Sequence, residues 1–444
     1  MLKIAIIGAG LNGLALAISL RQLGFAPEEI AIYERGETAR AEGAGIIFWA
    51  EAVSLLKRIG VDLTDVGVTL PKLKTTFLSD SGEPKNFDIE KPPGQEAYGF
   101  LRENIYKKLL EKVHACGLII QTDFDCENVV QADGQCTVYF KNKPPLLADV
   151  VIGCDGINSA VRRVIFPGFE SIPLHIRAYR GTYQGTAEEV ARFELPNDAC
   201  QVYAGRDFRI FLYPNAVDSD AGLLSYYWFA AHRIDPTELH HEGDSSEMTA
   251  EKIQALLLRM PHCPEQVARW IAQTPHEKII PSSTLRQLPF GDCSVNRVAL
   301  LGDAVHAMAP TAGLGFLLGV INSLHLAASL RLRSDNIPTA LEAYCSNIAL
   351  HSRRCLEYTA ELNDLFYTQN PMVTAMNAAK TYGELFQLTT RAAGQSLMVY
   401  NEAISARDIA ATCLQKNIRG YLVRKGGQEE NPLESETVTT RCKV

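Results

Sequence analysis

Apolar and polar positions at the start of the chain follow a strand, turn, helix and strand pattern. Residues 2–7 form an almost continuous apolar run that ends in glycines, which predicts a buried first strand. Small and aliphatic residues from 11 to 23 predict a helix, and residues 30–33 predict a second strand that ends at Glu34. This βαβ opening favours a parallel sheet covered by helices.

Similar patterns recur further along and place two more strands directly before glycines. Residues 150–152 lead into Gly153, and residues 298–301 lead into Gly302. Aromatic residues occur in alternating stretches between 175 and 232, which predicts an antiparallel sheet in a second domain. Helices are expected at 44–60, 102–116, 250–272, 316–332, 338–368 and 370–425.

Length and composition narrow the class of protein. A chain of 444 residues, 47% of them apolar, is long enough for two or three domains with sizeable cores. The formal net charge of −8 argues against a general nucleic-acid binder. The longest apolar stretch, residues 307–321, is shorter than the ~20 residues a membrane span needs, so no transmembrane segment is expected. The 11 cysteines include no CxxC pair, which predicts neither a disulfide framework nor a zinc site and favours a cytoplasmic location.

The first turn carries the sequence Gly8-Ala9-Gly10-Leu11-Asn12-Gly13, a GxGxxG motif between a strand and a helix. Gly8 permits the tight turn, Gly10 lets the backbone approach a pyrophosphate, and Gly13 lets the helix pack closely. The free N–H groups at the helix N-terminus favour phosphate charge. Glu34 ends the second strand, where a carboxylate accepts hydrogen bonds from a ribose diol. The motif therefore predicts a dinucleotide site.

Two later segments repeat the arrangement of a buried strand that ends in a glycine and an acid. In Ala148–Arg162 the strand delivers Asp155 into a turn, and Ser159 is placed to cap the next helix. In Arg297–Phe316 the strand delivers Asp303, and the pair Gly313 and Gly315 precedes another helix. An acid at such a strand end suits a sugar-like hydroxyl chain. Each segment alone also fits an ordinary capped loop.

The three motifs together resemble the FAD-dependent aromatic-hydroxylase-type (group A) flavoprotein monooxygenases over about residues 1–370. The resemblance implies an α/β fold with a Rossmann-type FAD-binding domain, an interleaved antiparallel-sheet substrate domain and a C-terminal helical extension. Residues 179–181, Tyr-Arg-Gly, resemble a motif at the start of the family's substrate domain. The implied cofactors are FAD and, as a transient reductant, NADH or NADPH. Reduced flavin then activates O₂ and one oxygen atom passes to the substrate, so no side-chain nucleophile is required.

The resemblance also implies the residues of the site. Those expected to bind the cofactor are Gly8, Gly10, Leu11, Asn12, Gly13, Glu34, Arg35, Arg40, Gly45, Arg102, Asp155, Gly302, Asp303, Pro310, Gly313, Leu314 and Gly315. Trp49, Phe211 and Tyr213, with Phe48, are candidates for a substrate pocket, although core packing explains aromatic residues as well. His306 is a candidate for contact with substrate or flavin, and equally for a histidine that flanks a helix. No metal site is expected.

Several positions depart from the family pattern after Pro310. Where the family often carries Gln, Asn and an acidic pair, this chain reads Gly313-Leu314-Gly315-Phe316-Leu317 and then Ile321-Asn322. The backbone N–H groups survive these changes, so Leu317 and Asn322 bear on the chemistry more than on FAD binding. Three functions stay open: an FAD- and NAD(P)H-dependent monooxygenase, a flavin-dependent reductase or dehydrogenase, and a binding scaffold on a degenerate flavoprotein body.

The C-terminal region carries a second motif. Residues 414–424 match the calmodulin-binding IQ pattern (IQxxxRGxxxR) at Leu414, Gln415, Arg419, Gly420 and Arg424. Leu414, Ile418 and Leu422 recur at i, i+4 and i+8, which gives a helix an apolar stripe. The surrounding positive charge would attract an acidic partner such as calmodulin or a calmodulin-like protein, bound through residues 403–425. The alternatives are a helix packed on the protein's own body and a helix at a membrane surface.

The last residues, 426–444, are polar and acidic, which predicts a disordered tail. This tail resembles glutamate-rich translocation signals of Legionella-type effectors, so secretion into a eukaryotic host cytosol is an expectation; a solvated acidic end explains it equally. The expected domains are listed here in chain order: 1–175 and 283–335 for FAD binding, with 70–100 on the substrate side; 176–282 for substrate; 336–400 for C-terminal helices; and 401–425 for the IQ helix.

Overall fold

The structure is a computed structural model, and it shows the α/β class that the sequence predicts. It describes residues 1–37, 45–78, 84–91, 93–218, 221–237, 249–260, 262–365, 380–381, 383–384 and 386–408. Arg40, the IQ residues Leu414, Gln415, Ile418, Arg419, Gly420, Leu422 and Arg424, and the acidic tail lie outside these described residues.

The described chain forms nineteen strands in four sheets, and helices that cover them. The strands are β1 (Ile4–Ile7), β2 (Ile30–Tyr33), β3 (Gly45–Trp49), β4 (Gly67–Leu70), β5 (Lys72–Phe77), β6 (Lys85–Glu90), β7 (Ala97–Leu101), β8 (Ile120–Gln121), β9 (Cys126–Ala132), β10 (Gln135–Phe140), β11 (Leu146–Ala148), β12 (Val150–Gly153), β13 (Ile172–Thr186), β14 (Ala199–Ala204), β15 (Phe208–Asp218), β16 (Leu223–Arg233), β17 (Ile279–Gln287), β18 (Ser294–Val295) and β19 (Val298–Leu300). The α-helices are α1 (Leu11–Gln22), α2 (Ala50–Arg58), α3 (Arg102–Ala115), α4 (Ala160–Ile165), α5 (Ala187–Arg192), α6 (Ala250–Leu257), α7 (Glu265–Ile271), α8 (Asp303–His306), α9 (Gly315–Leu332), α10 (Ile337–Leu365) and α11 (386–408).

The first sheet is the parallel sheet that the βαβ opening predicts. Its order is β18-β19-β12-β1-β2-β8, and every neighbouring pair is parallel except β18 with β19. All four residues of β1 are buried, as are all four of β12, because helices cover this sheet. Consequently β1, β12 and β19 end side by side, and the three glycine-containing turns that follow them lie at one edge.

The second large sheet contains the aromatic segment. Its order is β17-β13-β16-β15-β14-β5-β6, with antiparallel pairs throughout except β14 with β5. One face packs a separate apolar cluster around Trp228 and Trp270. The small sheet β3-β7-β4 lies between the two large sheets, and a three-stranded sheet, β11-β10-β9, flanks the parallel one. Residues 70–100 therefore contribute β5 and β6 to the aromatic sheet.

Three sequence predictions differ from the structure. The helical pattern at 44–60 splits into β3 and α2, because Gly45–Trp49 pairs with β7. The pattern at 250–272 splits into α6 and α7, with Pro264 preceding the second helix. The structure also joins Cys293 to Cys345 in a disulfide, although cysteine spacing predicted none; α10 packs beside β18 and brings these cysteines together across 52 positions.

Helix α9 lies in the larger of the two hydrophobic cores, the one that includes the parallel sheet. Within the described residues it is the one helix long and apolar enough to cross a membrane by length and composition. However, 83% of it is buried against other parts of the protein, chiefly α1 and α10. Its apolar surface is thus explained by packing.

Helix α11 packs against α1 and is described as far as residue 408, next to the residues that carry the IQ match. The Tyr400 hydroxyl donates to the carbonyl of Ser19 (3.0 Å), and the Ser396 hydroxyl donates to the carbonyl of Ile321 (2.9 Å). The Arg407 guanidinium donates to the carbonyl of Gln22 (2.5 Å). These buried contacts attach the last described turn of the chain to the body of the protein.

Candidate active site

One large cavity lies where the ends of β1, β12 and β19 face the aromatic sheet. Its volume is about 390 Å³. The sequence-predicted residues that line it are Gly10, Leu11, Asn12, Gly45, Trp49, Arg102, Phe211, Tyr213, Asp303, Pro310, Gly313, Leu314 and Gly315. The structure therefore brings the first motif, the third motif and all three candidate pocket aromatics to one space.

The turn after β1 has the geometry that the glycine motif predicts. Gly8 adopts φ +105°, and a Cβ there would lie 2.5 Å from the carbonyl oxygen of Cys154. A Cβ at Gly13 would lie 2.1 Å from the Gly8 carbonyl oxygen. By contrast, a Cβ at Gly10 would meet nothing within 4 Å and would project into open space. Gly8 and Gly13 thus close the turn by backbone packing, while Gly10 leaves room in the cavity beside the N-terminus of α1.

Glu34 lies close to this turn but is not among the residues that line the cavity. Its carboxylate accepts the backbone N–H groups of Ala9 (2.9 Å) and Gly36 (3.0 Å). The carboxylate therefore fixes the glycine turn, and its expected role of accepting hydrogen bonds from a ribose diol stays a prediction. Arg35, the next residue, is exposed and also absent from the cavity wall.

Asp155 is expected to bind cofactor, which stays a prediction, and in the structure its carboxylate bonds to protein groups. It accepts the Ser159 hydroxyl (2.6 Å) and the backbone N–H of Ala160 (2.7 Å), at the start of α4. Burial raises the pKa of the Asp155 carboxyl, although these hydrogen bonds oppose the shift. Its neighbours Cys154 and Gly156 line the cavity in its place. The predicted cap is confirmed, since the Ser159 hydroxyl accepts the backbone N–H of Arg162 (2.9 Å).

Asp303 stands in the cavity opposite the first motif. Its side chain borders the open space of the cavity, and protein atoms surround that cavity, so few water molecules can reach the carboxylate. This burial raises the pKa of the Asp303 carboxyl, and the positive charge of Arg102 across the cavity lowers it. Gly302 precedes it at φ +66°, where a Cβ would lie 2.3 Å from the Asn12 amide nitrogen. Gly302 is therefore a close-packing position that holds the two motifs together.

The loop from Pro310 to Gly315 forms the wall between the two halves of the cavity. Gly313 adopts the left-handed conformation (φ +64°), and a Cβ there would lie 2.7 Å from the Ile47 side chain. The Trp49 indole N–H donates to the carbonyl of Ala312 (3.0 Å) and thereby fixes this loop to β3. Gly315 is the first residue of α9, so the free N–H groups of a long helix begin at the cavity.

Aromatic side chains of the large sheet form the other half of the cavity. Phe211, Tyr213, Tyr227 and Phe229 on β15 and β16 all line it. Tyr213 and Tyr227 lie with ring centroids 5.3 Å apart, and burial raises the pKa of both phenols. Phe48, in contrast, is a core residue that stacks on Phe316 at 4.6 Å. This half of the cavity suits a planar apolar ligand.

His306 does not reach the cavity. It is fully buried, it is not part of the cavity wall, and neither ring nitrogen has a hydrogen-bond partner among the described residues. Burial lowers the pKa of His306 to about 4. Two further buried histidines, His325 and His351, lie with ring centroids 5.9 Å apart. Burial lowers the pKa of His351 to about 3, and the positive charges that His325 and His306 would carry add to this shift. The structure therefore places His306 in a buried histidine cluster behind the site.

This cluster predicts a loss of stability in mild acid. Burial lowers the pKa of His325 from 6.5 to about 4, so the unfolded chain binds a proton there between these pH values and the folded protein does not. Stability must then fall as pH drops from about 6.5 towards 4. The measurement is the free energy of unfolding in urea at pH 7 and at pH 5. Between these two pH values the free energy of unfolding of His325→Leu should fall by about 2 kcal/mol less than that of wild type. His114→Leu, at an exposed histidine, should keep the wild-type difference; an equal difference in His325→Leu would contradict the prediction.

Sequence reasoning missed several residues of the cavity wall. These are Ile46, Ile47, Leu70, Lys72, Leu73, Lys91, Ala97, Cys154, Gly156, Arg180, Cys200, Tyr227, Phe229, Leu301, Met308, Ala309, Thr311, Ala312 and Phe316. The sequence contained a signal for Arg180, because it is the middle residue of the Tyr-Arg-Gly motif. Lys72 and Lys91 carry no local signal, since they come from a turn-rich segment whose strands pair with distant parts of the chain.

Comparison with known proteins identifies this architecture. Residues 1–358 match the FAD binding domain family, and residues 409–426 match the IQ calmodulin-binding motif. The chain belongs to the first of these families. It is an FAD-dependent monooxygenase of the aromatic-hydroxylase type, as the sequence resemblance predicted, and FAD is its cofactor.

Relatives of this flavoprotein are distant in sequence but extend over most of its length. Salicylate hydroxylase of Pseudomonas putida is 26% identical and covers 84% of this chain and 87% of its own. The FAD-dependent urate hydroxylase of Mycolicibacterium vanbaalenii is 24% identical, with 84% and 91% covered. Among solved structures, Klebsiella pneumoniae HpxO complexed with FAD and uric acid superposes with a TM-score of 0.69 at 21% identity, with 89% and 97% covered. The Klebsiella pneumoniae structure therefore shares the fold of this monooxygenase.

Proposed function

We propose that this chain uses FAD and NADH or NADPH to insert one oxygen atom into a small, planar organic substrate, and that calmodulin or a similar protein binds its C-terminal segment. The observation that carries the proposal is a single cavity whose two halves differ in chemistry. One half presents glycine backbone, the start of α1 and the Asp303 carboxylate, and the other presents aromatic side chains. A nucleotide and an aromatic substrate would thus meet in one enclosed space.

The residues on the nucleotide side fit FAD. The open space at Gly10 lies beside the N-terminus of α1, whose first turn contains no acid to repel a pyrophosphate. Asp303 offers a carboxylate for the hydroxyls of a ribityl chain, and the backbone at Leu314 and Gly315 opens α9 towards the cavity. When bound, FAD supplies hydride acceptance and oxygen activation; this chain supplies binding, orientation and shielding from water.

Two of the departures from the family pattern, Leu317 and Asn322, lie away from the cavity surface, whereas a third, Leu314, lines it. Leu317 is 1% exposed and Asn322 is fully buried, and neither lines the cavity. The Asn322 side-chain oxygen lies 3.0 Å from a ring nitrogen of His351, so the amide is used to join α9 to α10. Both substitutions therefore change packing behind the site, which supports an enzyme more than a degenerate scaffold.

The test is a visible absorption spectrum of the purified protein, followed by NADH and NADPH oxidation assays with candidate aromatic substrates. A flavin spectrum, reductant oxidation coupled to O₂ uptake and a product heavier by one oxygen atom are the expected results. Reductant oxidation that reduces an organic acceptor without oxygenation would establish the reductase instead. Protein that stays colourless with added FAD would leave the binding scaffold as the function.

The location of the enzyme is a separate proposal: delivery as a bacterial effector into a host cytosol, where calmodulin occurs. It rests on the acidic composition of residues 426–444 and on the IQ match. A translocation assay with this tail deleted tests it, and unchanged delivery would contradict the role of the tail.

A further inference from the structure

Four cationic side chains line the cavity, and two of them bond to polar side chains of the protein. Lys72 forms an ion pair with Asp198 (2.8 Å). The Arg180 guanidinium donates to the Ser283 hydroxyl. The charge of Arg102 acts on the Asp303 carboxyl, which lines the same cavity. The fourth, Lys91, differs from these three because its ammonium group packs against aromatic rings.

Lys91 is held by aromatic rings. Its ammonium nitrogen lies 4.3 Å from the ring centroid of Trp49 and 5.4 Å from that of Phe386 on α11. Within the described ranges this ammonium group makes neither an ion pair nor a hydrogen bond, although the Lys91 backbone N–H donates to the carbonyl of Pro71 (2.8 Å). The carboxylate of Glu51 attracts it electrostatically but accepts the Thr390 hydroxyl instead (2.7 Å).

The surroundings of Lys91 remove water from its charge. Burial lowers the pKa of the Lys91 ammonium, and the charge of Glu51 opposes that shift. A half-buried cation that forms no ion pair is costly, and a ligand with negative charge would compensate it. Ring faces stabilise the ammonium in part, but they leave its N–H groups without acceptors.

The position of Lys91 relates it to the reacting centre. It stacks on Trp49, and the Trp49 indole is bonded to Ala312 in the loop that separates the two halves of the cavity. The wall around it is largely apolar, with Leu70, Leu73 and Phe211 among its members. A ligand in this half would therefore meet planar apolar surfaces and one cation that forms no ion pair within the described chain.

We propose that Lys91 determines substrate specificity by pairing with an anionic oxygen group, a carboxylate or an acidic hydroxyl, carried on the planar ring system of the substrate. This inference rests on the proposed function, because it assigns the substrate to the aromatic half of the same cavity. Lys91 binds the anion and Trp49 fixes the direction of approach; neither group takes part in bond making.

The experiment measures binding of matched ligand pairs to the FAD-loaded protein. Each pair is an aromatic carboxylate and its primary amide: benzoate with benzamide, salicylate with salicylamide, and 2-naphthoate with 2-naphthamide. Dissociation constants come from perturbation of the flavin absorbance and from calorimetry. Wild type should prefer the carboxylate of at least one pair by about tenfold, as expected for a charge-assisted hydrogen bond away from bulk water.

Variants separate the charge of Lys91 from its packing. Lys91→Met keeps the length of the side chain and should abolish the preference, whereas Lys91→Arg should retain most of it. For any ligand that turns over, Lys91→Met should raise KM more than it lowers kcat. Lys143→Met is the matched control, since Lys143 also lies over a ring, that of Phe124 at 5.2 Å, outside the cavity. It should leave every preference unchanged.

The outcomes distinguish this inference from the proposed function. Equal affinity for carboxylates and amides in wild type, or a preference that survives in Lys91→Met, would overturn the role of Lys91 while the flavoprotein stands. A change in FAD affinity without a change in ligand preference would assign Lys91 to the cofactor and overturn it too. Wild-type protein that binds no FAD would refute the proposed function, and the inference with it.

Discussion

Gly10→Val should give a folded protein that has lost FAD affinity by about 100-fold or more. The backbone at Gly10 is extended (φ −70°, ψ 177°), so valine fits it without strain. Its side chain meets no protein atom within 4 Å of the Cβ and enters the space proposed for the pyrophosphate. Steric exclusion at a close backbone contact removes several hydrogen bonds at once, each worth about 1.5–3 kcal/mol to a charged group.

Three measurements test this prediction: the FAD content of the purified protein, the dissociation constant for added FAD and the thermal unfolding of the apoprotein. The apoprotein of Gly10→Val should unfold within a few degrees of the wild-type apoprotein. Gly394→Ala is the control, because Gly394 on α11 also has open space around its Cβ but lies outside the cavity. Wild-type FAD affinity in Gly10→Val would show that the nucleotide does not approach this turn.

The Gly8 variant separates folding from binding at the same turn. Gly8→Ala would place a Cβ against the Cys154 carbonyl in a backbone conformation that alanine rarely adopts, so it should destabilise the apoprotein itself. Gly8→Ala should therefore lower the stability of the apoprotein, whereas Gly10→Val should lower its affinity for FAD, although both glycines belong to the same GxGxxG motif.

Local patterns predicted the parts of this protein that depend on backbone geometry. The βαβ opening, the cap at Ser159 and the meeting of Gly10 with Asp303 all follow from strands that end at the same sheet edge. Such features need only the order of elements and the conformations that glycine permits. They are therefore readable from one sequence.

Side-chain assignments were less predictable because two kinds of partner compete for the same carboxylate. Glu34 and Asp155 were placed correctly beside their turns, yet both accept backbone N–H groups of the protein. Lys91 depended on contacts with Trp49 and Phe386, which lie far from it in sequence. His306 was a candidate both for contact with substrate or flavin and for a histidine that flanks a helix, and the structure buries it away from the cavity wall.

Arg419→Glu should weaken binding of calmodulin to the full-length protein by about 100-fold, without changing its FAD content. Residues 409–426 match the IQ motif, and Arg419 is one of its specified basic positions. Reversing the charge replaces attraction to an acidic partner by repulsion, and it also introduces the first acid between 414 and 425. Calorimetric titration with calmodulin, with and without Ca²⁺, measures the change.

The matched control for this variant is Lys443→Glu, which alters the net charge by the same amount outside the motif. It should bind calmodulin within about twofold of wild type, because a solvated charge at that distance is largely screened. Equal weakening by both variants would mean that the partner responds to net charge rather than to the motif. A specific effect of Arg419 would assign the partner to the segment that follows the contact of Arg407 with α1 along the chain.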